Sequence, residues 1–127
     1  MKIKLTSVMV DDQAKALKFY TEVLGFVVSK NIPCGEFKWL TVVSPEAPDE
    51  VELLLEPMGF PPARAYQQAL FAAGIPLANF NVADIQQEYE RMEKLGVVFK
   101  TKPTPMGPVT IAVFEDTCGN LIQLVQV

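Results

Sequence analysis

The sequence predicts an α+β fold: two tandem strand–helix–three-strand (βαβββ) modules forming a cleft between curved mixed sheets. Three observations carry this prediction. The stretch from Val10-Asp11-Asp12 to Leu24-Gly25-Phe26-Val27-Val28 returns as Val82-Ala83-Asp84 to Leu95-Gly96-Val97-Val98-Phe99, offset by 72 residues at Asp12/Asp84 and 71 at Gly25/Gly96. The 71-residue offset also carries Val51-Glu52-Leu53 onto Ile122-Gln123-Leu124. Within each copy, one helix-period segment stands among segments that alternate apolar and polar residues. At 127 residues the chain is long enough for one domain and too short for two independent ones.

The elements follow in order. Residues 2–10 alternate as a strand, with Ile3, Leu5, Ser7 and Met9 on one face and Lys4, Thr6, Val8 and Val10 on the other. Asp11 or Asp12 caps a helix whose apolar positions are Ala16, Leu17, Tyr20, Val23 and Leu24, and Gly25 stops it. Strands are predicted over 26–30, 36–43 and 51–56, separated by turns containing Pro33-Cys34-Gly35 and Ser44-Pro45-Glu46. The first module thus covers about 1–57, and 58–74 is a linker with a short helix over 63–73. The second module, about 75–127, repeats the plan. A strand over 76–82 precedes a helix capped by Asp84, with Ile85, Tyr89, Met92 and Leu95 on one face. Strands at 97–101, Val109–Glu115 and 121–127 complete it, the last two joined by Asp116-Thr117-Cys118-Gly119-Asn120.

One helix covers one face of a sheet, so two such modules are expected to cover one another and leave a cleft. Period-2 geometry says which residues face it. If Val51, Leu53 and Leu55 pack on the helix, then Glu52, Leu54 and Glu56 face the cleft. In the last strand Gln123 and Val125 take that face, with Ile122 and Leu124 inward.

Composition excludes several functions. The net charge is −4 and no basic run exists, which argues against nucleic acid as a partner. No apolar stretch approaches the ~20 residues of a membrane span, and no signal peptide is visible before the first strand. Cys34 and Cys118 stand in unlike contexts, so a reduced, cytoplasmic protein is expected rather than a disulfide. The chain has no histidine. That removes Ser-His and Cys-His pairs, histidine acid–base chemistry and nearly every zinc or non-haem iron site.

The stretch from Val10-Asp11-Asp12 through Lys18-Phe19-Tyr20, followed by Leu24-Gly25-Phe26, resembles the opening of the vicinal oxygen chelate superfamily. That group holds the glyoxalase I, bleomycin-resistance and extradiol dioxygenase proteins. Asp116-Thr117-Cys118-Gly119-Asn120 and the strand after it resemble the family's closing turn, and Val82-Ala83-Asp84-Ile85 with Tyr89 resembles its second-half start. The resemblance spans the whole chain, but its motifs are caps, turns and core faces, which specify a fold and not a reaction. It implies up to four metal ligands, typically histidines and glutamates, one from each of four strands. Position by position these fall on Leu5, Glu52, Leu77 and Gln123. Two leucines cannot ligate a divalent metal, and one carboxylate with one amide is too few donors. The expectation is therefore no metal and no cofactor.

The residues expected to line a ligand are Leu5, Ser7, Trp39, Thr41, Glu52, Leu54, Leu77, Asn79 and Gln123. Trp39, the only tryptophan, either stacks on the ligand or fills core. Phe60, Arg64 and Tyr66 either form a lid or pack on the surface; Tyr20 and Tyr89 read as core. Glu52 has two readings. Desolvation could raise its pKa and make it a general acid or base, or it could be solvated or hydrogen-bonded to Gln123. Three functions follow. The first is a metal-independent binding protein, similar to bleomycin-resistance proteins, taking a small cationic or aromatic molecule beside Glu52 and Glu56. The second is a metal-independent isomerase or lyase using Glu52. The third, a divalent-metal glyoxalase-type lyase or dioxygenase, lacks its ligands. A homodimer is what the resemblance implies.

Overall fold

Strand β1 (Leu5–Val10) sets the pattern for the first half: Val8 and Val10 are buried, while Leu5 and Ser7 on the other face are exposed. The computed structural model describes all of Met1–Val127. After β1, the Asp12 carboxylate accepts the Lys15 N–H at 3.0 Å and starts α1 (Gln13–Lys18). The helix widens into a π-helical turn over Phe19–Val23, closed by the Leu24 N–H on the Phe19 carbonyl, and Gly25 at φ +87° ends it. Strands β2 (Val27–Cys34), β3 (Phe37–Val43) and β4 (Glu52–Pro57) follow. The sheet order is β1-β4-β3-β2, with β1 and β4 parallel and the other pairs antiparallel. Gln13 ties α1 to this sheet, donating to the Lys38 and Leu55 carbonyls at 2.8 and 2.9 Å and accepting the Lys38 N–H at 3.0 Å.

The second half repeats the arrangement. Helix α2 (Pro61–Ala72) leads to β5 (Ala78–Asn81), α3 (Ile85–Lys94), β6 (Phe99–Met106), β7 (Val109–Glu115) and β8 (Leu121–Gln126). Asp84 caps α3 through the Gln87 N–H at 3.0 Å, and Ile85, Tyr89 and Met92 form its buried face. The order is β5-β8-β7-β6, again with the outer parallel pair first. No helix is long and apolar enough to cross a membrane.

Three boundaries differ from the sequence reading, each for a physical reason. β2 and β6 run on to Cys34 and Met106, through Pro33 and through Pro103 and Pro105. Both are edge strands, where a proline need not break a ladder hydrogen bond. Helix α2 starts at Pro61 because proline suits the first helical turn, whose N–H groups are unpartnered in any case. The chain divides into two units, Met1–Arg64 and Ala65–Val127, so most of α2 groups with the second half instead of standing as a free linker.

Gln67 explains this grouping. Its side chain is buried, and Nε2 donates to the Cys118 carbonyl at 3.1 Å and to Asn120 Oδ1 at 2.9 Å. The Asp116 carboxylate organises the same turn, accepting the Cys118 and Asn120 N–H groups at 2.8 and 3.0 Å and Asn120 Nδ2 at 2.7 Å. Gly119 sits between at φ +97°, where an added Cβ would lie 2.7 Å from Gln67 Oε1. Gly119→Ala should therefore lower unfolding stability by about 2 kcal/mol or more, through left-handed strain plus the clash. Adding Gln67→Ala should return about 1 kcal/mol of that in a denaturant double-mutant cycle. Strictly additive losses would show that the clash is not felt.

Candidate functional site

The face of the first sheet opposite α1 gathers its residues by register. Leu5 stands opposite Glu52, Ser7 opposite Leu54, and Leu54 opposite Thr41. Trp39 lies two residues from Thr41 and shares its face. Thr41 is fully buried and Leu54 nearly so, whereas Leu5 and Trp39 remain 42% and 39% exposed. The result is a partly apolar, exposed surface with polar groups set into it.

A bulge in β2 supplies the rest. Pairing slips between Val28 and Lys30: Val28 stands opposite Val42, but Lys30 stands opposite Thr41. Strict alternation would put Lys30 on the same face as Val28; the extra residue turns it to the Thr41 face. Lys30 Nζ donates to Glu52 Oε1 at 2.7 Å, and Thr41 Oγ1 donates to the same oxygen at 2.7 Å. The Lys30 N–H in turn donates to Thr41 Oγ1 at 3.1 Å, so the buried hydroxyl is satisfied as donor and acceptor. Hydrogen bonds from Lys30 and Thr41, the Lys30 charge and a smaller contribution from the Ser29 hydroxyl hold the Glu52 carboxyl below the ordinary glutamate value. Partial burial pushes the other way and loses. Beside this group a hollow of about 230 Å³ is bordered by Lys4, Ser29, Asp49 and Glu50, with the Lys4 ammonium bonded to the Asp49 carbonyl.

In the second unit, Asn79 stands opposite Gln123, and Gln123 Nε2 donates to Asn79 Oδ1 at 2.9 Å. Leu77 lies two residues before Asn79, its N–H on the Leu121 carbonyl at 2.9 Å. These donors do not fit a divalent metal. Leu5 and Leu77 offer no lone pair, and Glu52 Oε1 already carries an ammonium. No group of three or more histidine, cysteine, aspartate or glutamate residues is placed to hold a metal ion.

The family model of the Glyoxalase/Bleomycin resistance protein/Dioxygenase superfamily matches residues 2–124. The chain belongs to that superfamily. Among similar proteins, the uncharacterized protein YurT of Bacillus subtilis (strain 168) is 57% identical over 126 residues, 99% of each chain. Among solved structures, UcmS2 aligns with a TM-score of 0.85 at 32% identity, covering 98% of this chain and 97% of that one. TnmS3, an antibiotic binding protein from Streptomyces sp. CB03234, aligns at 0.79 and 28% identity, covering 99% and 95%.

Within this superfamily fold, the expected residues of the first unit, Leu5, Ser7, Trp39, Thr41, Glu52 and Leu54, do share one face. Three expectations are corrected. Glu52 Oε1 is bonded by Lys30 and Thr41, and Gln123 Nε2 donates to Asn79 Oδ1 within the second unit. The Glu52 pKa is lowered, not raised, so the residue holds no proton to give near neutrality and is a weak base. The counterpart of Leu5 by register is Asn79, not Leu77, because Asn79 stands opposite Gln123 as Leu5 stands opposite Glu52. Phe60, Arg64 and Tyr66 are exposed, while Tyr20 and Tyr89 are core. Sequence reasoning missed Ser29 and Lys30, and no residue pattern in β2 announces the bulge that brings them in.

The lowered Glu52 pKa has a pH consequence. A depressed carboxylate contributes stability above the unfolded-state pKa, and the contribution is lost as pH falls through the lower folded value. A carboxyl NMR titration should place the Glu52 midpoint below the ordinary glutamate value, with Lys30→Met moving it up and Thr41→Val moving it up by less. An unmoved midpoint in Lys30→Met would contradict the pairing.

Proposed function

We propose that this protein binds a small organic molecule, without a metal, on the exposed face of the first unit's sheet. The observation that carries the reading is an apolar, part-exposed surface built around a carboxylate that is already neutralised. Trp39 supplies a flat ring for stacking, Leu5 an aliphatic neighbour, and the Lys30–Glu52–Thr41 group a fixed polar anchor. The likeness to an antibiotic binding protein at 28% identity supports a binding role of this class. An isomerase or lyase working through Glu52 is less favoured, because the carboxylate is tied down and kept ionised. The same reading takes the protein as a cytoplasmic homodimer.

Trp39 is the single tryptophan, so its fluorescence reports on this face alone. Titration with a panel of planar aromatic antibiotics should give at least one saturable, one-site quench that excess chelator leaves unchanged. Calorimetry on Trp39→Ala should show that ligand bound about tenfold more weakly, the loss expected for one stacked ring. Absence of any saturable ligand, or binding abolished by the chelator, would count against the proposal.

A further inference from the structure

We infer that the ligand group recognised at this face is an oxygen acceptor, a carbonyl or an oxyanion carried on a flat aromatic body, and that Lys30 is the residue that holds it. The inference rests on the binding reading above and adds the chemistry of the ligand. A glutamate set on a sheet face would by itself draw a cation. Here its charge is met within the chain by Lys30 at 2.7 Å, and any incoming cation would first meet that ammonium.

Counting hydrogen bonds decides what capacity is left. An ammonium has three donors, and Lys30 Nζ spends one on Glu52. Glu52 Oε1 accepts from both Lys30 and Thr41, and the buried Thr41 hydroxyl both donates and accepts. Two ammonium donors remain on a side chain that is 45% exposed, against 26% for Glu52, so the more accessible charged group at this face is a donor. Charge-assisted N–H···O bonds of this kind are the stronger sort.

The register sets the backbone spacing between Lys30 and the apolar part. Lys30 stands opposite Thr41, and the next same-face pair along the two strands is Ile32 opposite Trp39. Two residues of strand separate the pairs, about 7 Å, or roughly the span of a ring and its substituent. Both Ile32 and Trp39 are exposed, at 51% and 39%. A flat aromatic ring over Trp39 and Ile32 therefore has Lys30 on the next same-face pair, and its long side chain can bring the ammonium to a ring-borne carbonyl or oxyanion.

The test uses three matched probes on the full chain by calorimetry: 2-naphthoate, the neutral 2-naphthylmethanol and cationic 2-naphthylmethylammonium. Naphthoate should bind about tenfold tighter than the alcohol, and the ammonium weakest. Lys30→Met should erase the naphthoate preference while leaving the alcohol's Kd within about twofold, and Lys30→Arg should keep most of it. Because Lys30→Met alone strands Glu52, the double variant Lys30→Met/Glu52→Gln serves as a charge-balanced control and should show the same loss. The inference is overturned if the ammonium binds best, or if the naphthoate preference survives in both variants. Equal binding of all three probes would also overturn it while leaving the binding reading intact. No binding by any probe would sink both.

Discussion

A four-stranded sheet has two faces, and each unit of this protein supplies one packed helix to cover them. That constraint sorts nearly every residue. On one side of the first sheet Val8, Val10, Leu40, Val42 and Leu55 are buried with Ala16 and Tyr20 of the helical segment. On the matching side of the second sheet Ala112, Phe114, Ile122 and Leu124 are buried with Ile85, Tyr89 and Met92. Each large apolar side chain buried this way contributes roughly 1.5–3 kcal/mol, against about 1 for a helix cap. Burial therefore fixes which way each strand faces, and the aspartate caps refine where each helix begins. On the opposite face of the first sheet Thr41 and Leu54 are still buried, while Leu5, Ser7 and Trp39 stay exposed.

On that face, the main difficulty is a carboxylate and a hydroxyl on neighbouring strands. Thr41 is fully buried and needs both a donor and an acceptor; Glu52 is partly desolvated and needs a cation. One bulged residue in β2 answers both needs. It sets the Lys30 backbone N–H on the Thr41 oxygen and the Lys30 ammonium on Glu52. A partly exposed ion pair contributes about 0–1 kcal/mol at most, so stability does not explain the arrangement. What it achieves is a fixed, uncharged-in-sum polar group in the middle of an apolar surface, held in one geometry by three strands.

The fold was legible because its signals are local. Caps at Asp12 and Asp84, stops at Gly25 and Gly96, and period-2 alternation all survive in a single sequence. The errors came where a residue's meaning depends on a neighbour far along the chain. Pro33 reads as part of a turn, and the strand from 97 reads as ending at Thr101, until the topology shows β2 and β6 to be edges that tolerate proline. Leu77 was matched to Leu5 by counting back from the helix caps, but β5 is slid by two residues against β8 relative to β1 against β4. A slide of two keeps Leu77 and Asn79 in the same alternation phase while changing which of them stands opposite Gln123. Lys30 was invisible for a related reason: alternation has no term for a bulge.

The same bulge bears on how the one expected carboxylate donor, Glu52, is occupied. The family resemblance places a metal-ligating carboxylate at Glu52, and an isolated carboxylate on that face would still attract a cation. Lys30 supplies one covalently, so its occupancy depends on neither concentration nor exchange. It also makes the site self-consistent against reversal. A histidine placed at Leu5 would face Glu52 across the β1–β4 register, but any divalent ion drawn there would stand beside an ammonium already bonded to the same oxygen. Replacing the leucine alone therefore restores a ligand without restoring a site; the lysine has to leave before the carboxylate is free to coordinate. Leu5 and Lys30 are coupled features of one face: the leucine offers no lone pair, and the lysine meets the Glu52 charge.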